Sequence, residues 1–140
     1  MRLIEYNDAK AFLDVLENQF LRPWENDLML GLVNQFISDP SLFNTKVRLM
    51  AVEEDQRIKF VSFHTPPWPI IIYTDSLAYE HIISFFIDSI KDIEPNLSGI
   101  NARNDLSIFF SEKWGTKTKK HFEKTMEMTL FVLKEINTIP

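Results

Sequence analysis

Cysteine is absent from the 140 residues. Its absence removes disulfides, thiolate metal sites and thiol nucleophiles together, and it suits a reducing, cytoplasmic setting. Glycine is almost as scarce. Gly31, Gly99 and Gly115 stand alone, so no glycine-rich loop can be assembled in which backbone amides approach a phosphate without a Cβ in the way. The three histidines, His64, His81 and His121, are far apart and form no His-x-x-x-His pair, and that spacing predicts no metal site. Apolar runs are short, below the roughly eighteen residues that read as a membrane span. Residues 1–8 include Glu5 and Asp8 where a signal peptide needs an apolar stretch. Positive charge is in deficit as well. Fifteen Lys and Arg face 20 Asp and Glu, a net charge of −5, which argues against nucleic acid or an anionic membrane as a general partner.

What the chain does have is material for a core. Hydrophobic residues make up 45% of it and phenylalanine alone contributes 12, enough for residues 1–140 to fold as one domain without staples. Asn7 and Asp8 can cap a helix running to about Leu21, with Phe12, Leu13, Leu16 and Phe20 on one stripe. Pro23 suits the first turn of a second helix, which Asp39-Pro40 ends. On that helix Leu28, Met29, Leu32, Val33, Phe36 and Ile37 are predicted to point inward. The period then shortens. Residues 47–52 and 58–63 read as a β-hairpin, and 70–73 as a third strand. Asp75 or Ser76 can cap a third helix with the stripe Ile82, Ile83, Phe86, Ile87 and Ile90. Residues 95–101 are a loop or short strand, and a fourth helix is predicted from about Asn104 to Trp114, ended by Gly115. Alternation across residues 120–136 predicts one long final strand. The order gives an α+β fold: a mixed, mostly antiparallel sheet of about five to six strands with about four helices.

Chemistry-bearing clusters are few. The carboxylates of Glu53, Glu54 and Asp55, and of Asp92 and Glu94, read as a solvated hairpin turn and a fraying helix end, without apolar surroundings to raise a carboxyl pKa. Lys113, Lys117, Lys119, Lys120 and Lys124 lie near His121, but Glu112 and Glu123 dilute them and a solvated loop is expected. The most unusual stretch is His64-Thr65-Pro66-Pro67-Trp68-Pro69. Its prolines fix the backbone and remove amide donors. It reads either as a rigid turn with Trp68 covering the core, or as a preformed pocket wall presenting His64, Thr65 and Trp68.

Several segments together resemble a known family. Glu25 to Gly31 on the second helix is similar to the Glu-x-Asn-x-x-x-Gly pattern of certain two-domain members of the GNAT N-acetyltransferase superfamily. Thr65-Pro66-Pro67 resembles their Thr-Pro-Pro turn. Leu97-Ser98-Gly99-Ile100-Asn101, the helix to Trp114 and the closing strand follow in matching order, although Phe131 stands where the family's usual residue is Tyr. The resemblance spans nearly the whole chain but only the amino-terminal half of such a protein. It implies a GNAT-like domain. In those relatives the acetyl-CoA loop, Gln/Arg-x-x-Gly-x-Gly/Ala, lies in the following domain, and no glycine here fits it. The resemblance therefore implies an accessory or partner-binding domain with no cofactor of its own.

Two alternatives stand beside that expectation. One is a divergent N-acetyltransferase that binds acetyl-CoA in an unusual way, with Glu53, Glu54 or His64 as a base. The other is a homodimeric interaction protein that pairs through its final strand. A separate catalytic chain is a further possible partner. For a pocket, the sequence points to His64, Thr65, Trp68 and Asn26, the last of which could instead tie its helix to a loop.

Overall fold

A computed structural model describes residues 1–20, 26–43, 46–66 and 68–119 with side chains, and residues 122–124 and 130–133 as backbone. Within these residues the order is β1 (Arg2–Tyr6), α1 (Ala9–Asn18), α2 (Asp27–Ser38), a 3-10 turn at Pro40–Leu42, β2 (Arg48–Glu54), β3 (Arg57–His64), β4 (Ile70–Tyr73), α3 (Glu80–Ile90), β5 (Gly99–Asn101), α4 (Asn104–Thr118), β6 (Phe122–Lys124) and β7 (Leu130–Leu133). The strands form one sheet in the order β1-β2-β3-β4-β5-β7-β6. Every neighbouring pair is antiparallel except β4 and β5, which run parallel with α3 as their crossover. The fold is α+β with a mixed, mostly antiparallel sheet, as the alternation of strand and helix patterns predicts.

The sheet separates two apolar layers, because successive strand residues point to opposite faces. Met50, Val52, Phe60, Ile70, Ile72 and Ile100 face α3 and α4, where they meet Ile83, Phe86, Ile87, Phe110 and Trp114. Leu49, Ala51, Val61, Phe63 and Tyr73 face α1 and α2, against Phe12, Leu16, Met29 and Val33. The predicted stripe of α3 is buried in full, Ile82, Ile83, Phe86, Ile87 and Ile90 alike.

Local chemistry sets most boundaries. The Asp8 carboxylate accepts a hydrogen bond from the Lys10 amide and starts α1. Asp55 and Gln56 turn the β2–β3 hairpin with φ of 55° and 65°, the left-handed pair that a two-residue turn needs to match strand twist.

Several expectations are corrected. Strand β1 was not foreseen: it has five residues, and its partner β2 lies more than forty positions on. Helix α3 begins at Glu80, beyond Asp75 and Ser76, because the Thr74 hydroxyl accepts the Ser76 amide and holds that segment in a turn. Helix α4 does not stop at Gly115. It continues to Thr118, and Lys119 takes the left-handed capping conformation while its amide bonds to the Gly115 carbonyl. The single long final strand is instead two strands, β6 and β7, paired antiparallel with each other, so β7 is flanked on both sides and β6 is the edge. The expected helix entry at Pro23 and residues 120–121, 125–129 and 134–136 of the predicted strand lie outside the described residues.

Candidate functional site

A cleft of ≈ 380 Å³ opens on the α1/α2 face of the sheet, within the size range of small-molecule pockets, roughly 300–1,000 Å³. Its floor comes from three adjacent strands. Phe63 of β3 pairs across to Ile71 of β4, and Ile71 pairs with Asn101 of β5, so the three side chains lie in one row on one face. One wall is α2, through Leu28 and Leu32. The next is the segment after α2, through Leu42 and Phe43. The last is the turn between β3 and β4, with Thr65, Trp68 and Pro69.

A backbone hydrogen bond helps to shape this turn. The Trp68 amide donates to the Thr65 carbonyl at 2.9 Å, closing a four-residue turn that Pro66 favours through its fixed φ. Trp68 does not cover the core. It is 67% exposed, and Leu28 and Leu42, also on the rim, are 52% and 58% exposed. Leu28 was expected to point inward. Its position one residue before the buried Met29 turns it instead toward the cleft mouth.

Of the four pocket residues named from sequence, the structure brings Thr65 and Trp68 together in the cleft. Asn26 and His64 are not among its lining residues. Asn26 is buried at the start of α2, where its amide reaches the Met29 sulfur at 3.7 Å and makes no side-chain capping bond. His64 alternates with Phe63 and so projects to the opposite face of the sheet, 2% exposed.

There His64 belongs to a largely buried ionic cluster. Its cross-strand neighbour is Arg48. The Glu94 carboxylate accepts from Arg48 Nε at 2.9 Å, and the same oxygen lies 3.8 Å from His64 Nδ1. That nitrogen has no hydrogen-bond partner among the described residues. Arg48 also reaches Glu5 of β1 at 3.3 Å. Burial lowers the His64 pKa below its ordinary value, a tendency opposed by Glu94 and by a hydrogen bond to the Trp68 backbone, and aided by Arg48. Glu94 is therefore no frayed helix end. It is the acidic member of a cluster that stands behind the cleft wall and is tied to it through the Trp68 backbone.

The other carboxylates named from sequence sit at the far end of the hairpin. Glu54 is held by Lys59 at 3.1 Å and His81 at 2.8 Å, and Lys59 with His81 keeps its carboxyl below the usual range against some desolvation. Glu53 pairs with Arg2. Since His64 pairs with Arg48 and Glu53 with Ile58, these groups are separated by most of the strand length and share no site. Among the described residues no group of three His, Cys, Asp or Glu side chains converges as metal ligands. Lys117 is engaged by Asp88 at 2.7 Å and Lys113 lies over the Phe109 ring. Lys120 and His121 lie outside the described residues, as does the Lys124 side chain. No described helix is long and apolar enough to cross a membrane.

Sequence reasoning missed Leu42, Phe43 and Asn101 as pocket residues and Glu94 as a half-buried partner of Arg48. Leu42 and Phe43 follow the helix-stopping Asp39-Pro40, and an apolar pair just after a stop was the available signal. No family model, curated protein or solved structure matches the chain.

Proposed function

We propose that this chain is a binding domain, resembling the amino-terminal region of two-domain GNAT acetyltransferases, that presents the cleft between α2 and the β3–β4 turn to a ligand and transfers no acetyl group by itself. The observation that carries the reading is convergence. Trp68, Leu28 and Leu42, three of the most exposed large apolar side chains in the described residues, ring one cavity. Keeping such groups in water is unfavourable, and clustered exposure of this kind marks binding surfaces.

Two further points support it. The segments that carry the family resemblance occupy distinct parts of this arrangement: residues 26–31 open α2, Thr65 and Pro66 begin the cleft turn, Gly99–Asn101 is β5, and Trp114 lies in α4. Gly31, Gly99 and Gly115 all fall inside a helix or strand, and none lies in a strand-to-helix loop where amides could close round a pyrophosphate.

The test is calorimetric titration with acetyl-CoA together with a fragment screen read by amide chemical shifts. The expected result is no saturable acetyl-CoA binding at millimolar concentration, with fragment hits that shift Thr65, Trp68 and Asn101. Replacing Trp68 with Ala should weaken those hits about tenfold or more, while leaving stability within about 0.5 kcal/mol, because the ring is exposed. Saturable acetyl-CoA binding at one site per chain would instead favour a divergent transferase.

A further inference from the structure

The chemistry of the cleft narrows what it can hold. Among the described residues that line it, none carries a charge. The lining is Leu28, Leu32, Leu42, Phe43, Phe63, Trp68, Pro69 and Ile71, broken only by Thr65 and Asn101. Two charged residues close in sequence to the polar lining positions are committed elsewhere, and Asp27, next to Leu28, is exposed and is not a lining residue. His64, next to Thr65, faces the other side of the sheet with Arg48 and Glu94, and Arg103, two residues past Asn101, bonds to Asp105 at 2.6 Å.

The two polar side chains differ from several buried hydroxyls elsewhere in the molecule. Ser107, Ser111 and Thr74 each give their hydroxyl proton to a backbone carbonyl. Thr65 is only 9% exposed, yet neither its hydroxyl nor the Asn101 amide makes a side-chain hydrogen bond with any described residue. Neither group is among the fully buried atoms left without a partner, and Asn101 is half-buried, so their polar atoms face the cleft, where water or a ligand supplies the bond. Thr65 and Asn101 present between them a hydroxyl, an amide N–H and an amide oxygen, so both donor and acceptor are available.

We infer that the cleft takes a small neutral molecule with an aromatic or aliphatic body and one uncharged hydrogen-bonding head, of the amide or alcohol kind, seated against Thr65 and Asn101. The inference rests on the reading of the cleft as a binding site and adds the ligand class. The apolar body replaces water over Leu28, Leu32, Phe63 and Ile71, and Trp68 closes over it. The head completes the hydrogen bonding of Thr65 and Asn101. A carboxylate or an ammonium of the same shape would lose its hydration and find no counter-charge on the lining, a penalty that a neutral head avoids.

The test uses three matched probes with one body: 3-phenylpropionamide, 3-phenylpropionate and 3-phenylpropylamine. Each is titrated into the intact chain and followed by amide chemical shifts. The expected result is saturable binding of the amide, with the largest shifts at Thr65, Trp68 and Asn101, at least about tenfold tighter than either charged probe, since losing ionic hydration without a partner costs more than one decade of affinity. Thr65→Val keeps the shape of the side chain and should weaken the amide by about three- to tenfold, the worth of one hydrogen bond. It should leave the charged probes unchanged. Equal binding of a charged probe at the same residues would overturn the ligand class and leave the cleft a binding site. Shifts that map elsewhere, or none at millimolar concentration with all three probes, would overturn both.

Discussion

His64 was read from sequence as a pocket residue, and its neighbours give it a different task. The imidazole is buried beside Arg48 and Glu94, with Nδ1 unbonded among the described residues and a hydrogen bond to the Trp68 backbone. Burial dominates and lowers its pKa below the ordinary 6.5, although Glu94 and the Trp68 bond pull the other way. The sign of the consequence follows. Above 6.5 the ring is neutral in both the folded and the unfolded chain. Below it the unfolded chain takes up a proton that the folded chain resists, so stability is lost as the pH falls toward the lowered folded value. Urea unfolding at pH 7 and pH 5 should show a larger fall in midpoint for the parent than for His64→Gln, which removes the titration. An equal fall in both would mean that the ring does not contribute. The alternation rule alone, applied to His64 and Thr65, would have put the two side chains on opposite faces. What the local stretch could not reveal was which face carried the cleft, because that depends on where α2 and Asn101 arrive.

At the scale of elements, α2 and the β2–β3 hairpin show how far local pattern reaches. The buried positions Met29 and Val33 sit four apart, as a helix stripe requires, and both were legible. Leu28 lies just off that stripe, and periodicity cannot say whether such a residue meets a neighbour or the mouth of a cleft. Gly31 offers a direct measurement. It lies in α2, and a Cβ built there meets nothing within 4 Å. Glycine inside a helix costs roughly 0.5–1 kcal/mol relative to alanine, so Gly31→Ala should raise the unfolding free energy by about that amount in urea titrations. A loss of stability would show that the backbone there needs glycine. The final hairpin marks the limit of pattern reading. Residues 122–124 and 130–133 both belong to strands, so the extended character was legible. The reversal between them was not, because alternation continues through the segment without a glycine or proline to announce a turn.

The whole molecule is organised by one sheet that serves two apolar layers. Phe86 of α3 is fully buried and lies 4.6 Å, ring centre to ring centre, from Phe60 on the α3/α4 side. Phe86→Ala should cost about 3–5 kcal/mol, as for other large aromatic truncations in a packed core. Phe60 and Val61 are consecutive on β3 and serve opposite layers. The unfolding should therefore remain one cooperative transition, with both layers lost together, and two separated calorimetric peaks would contradict the shared sheet. The composition and residue periods by themselves determined much of this: the absence of thiol and glycine-loop chemistry, the α+β class, and the stripes of α1 and α3. Each of these depends on residue type and on spacing within one element. Only the tertiary structure decided that β1 pairs with β2, that β7 inserts between β5 and β6, and that Glu94 reaches back to Arg48 and His64. It alone assembled the cleft, whose lining comes from positions 28 to 101. Hydrophobic burial rewards any apolar contact without regard to sequence distance, so which surfaces meet is set by chain closure and packing across the sheet, quantities that no local window contains.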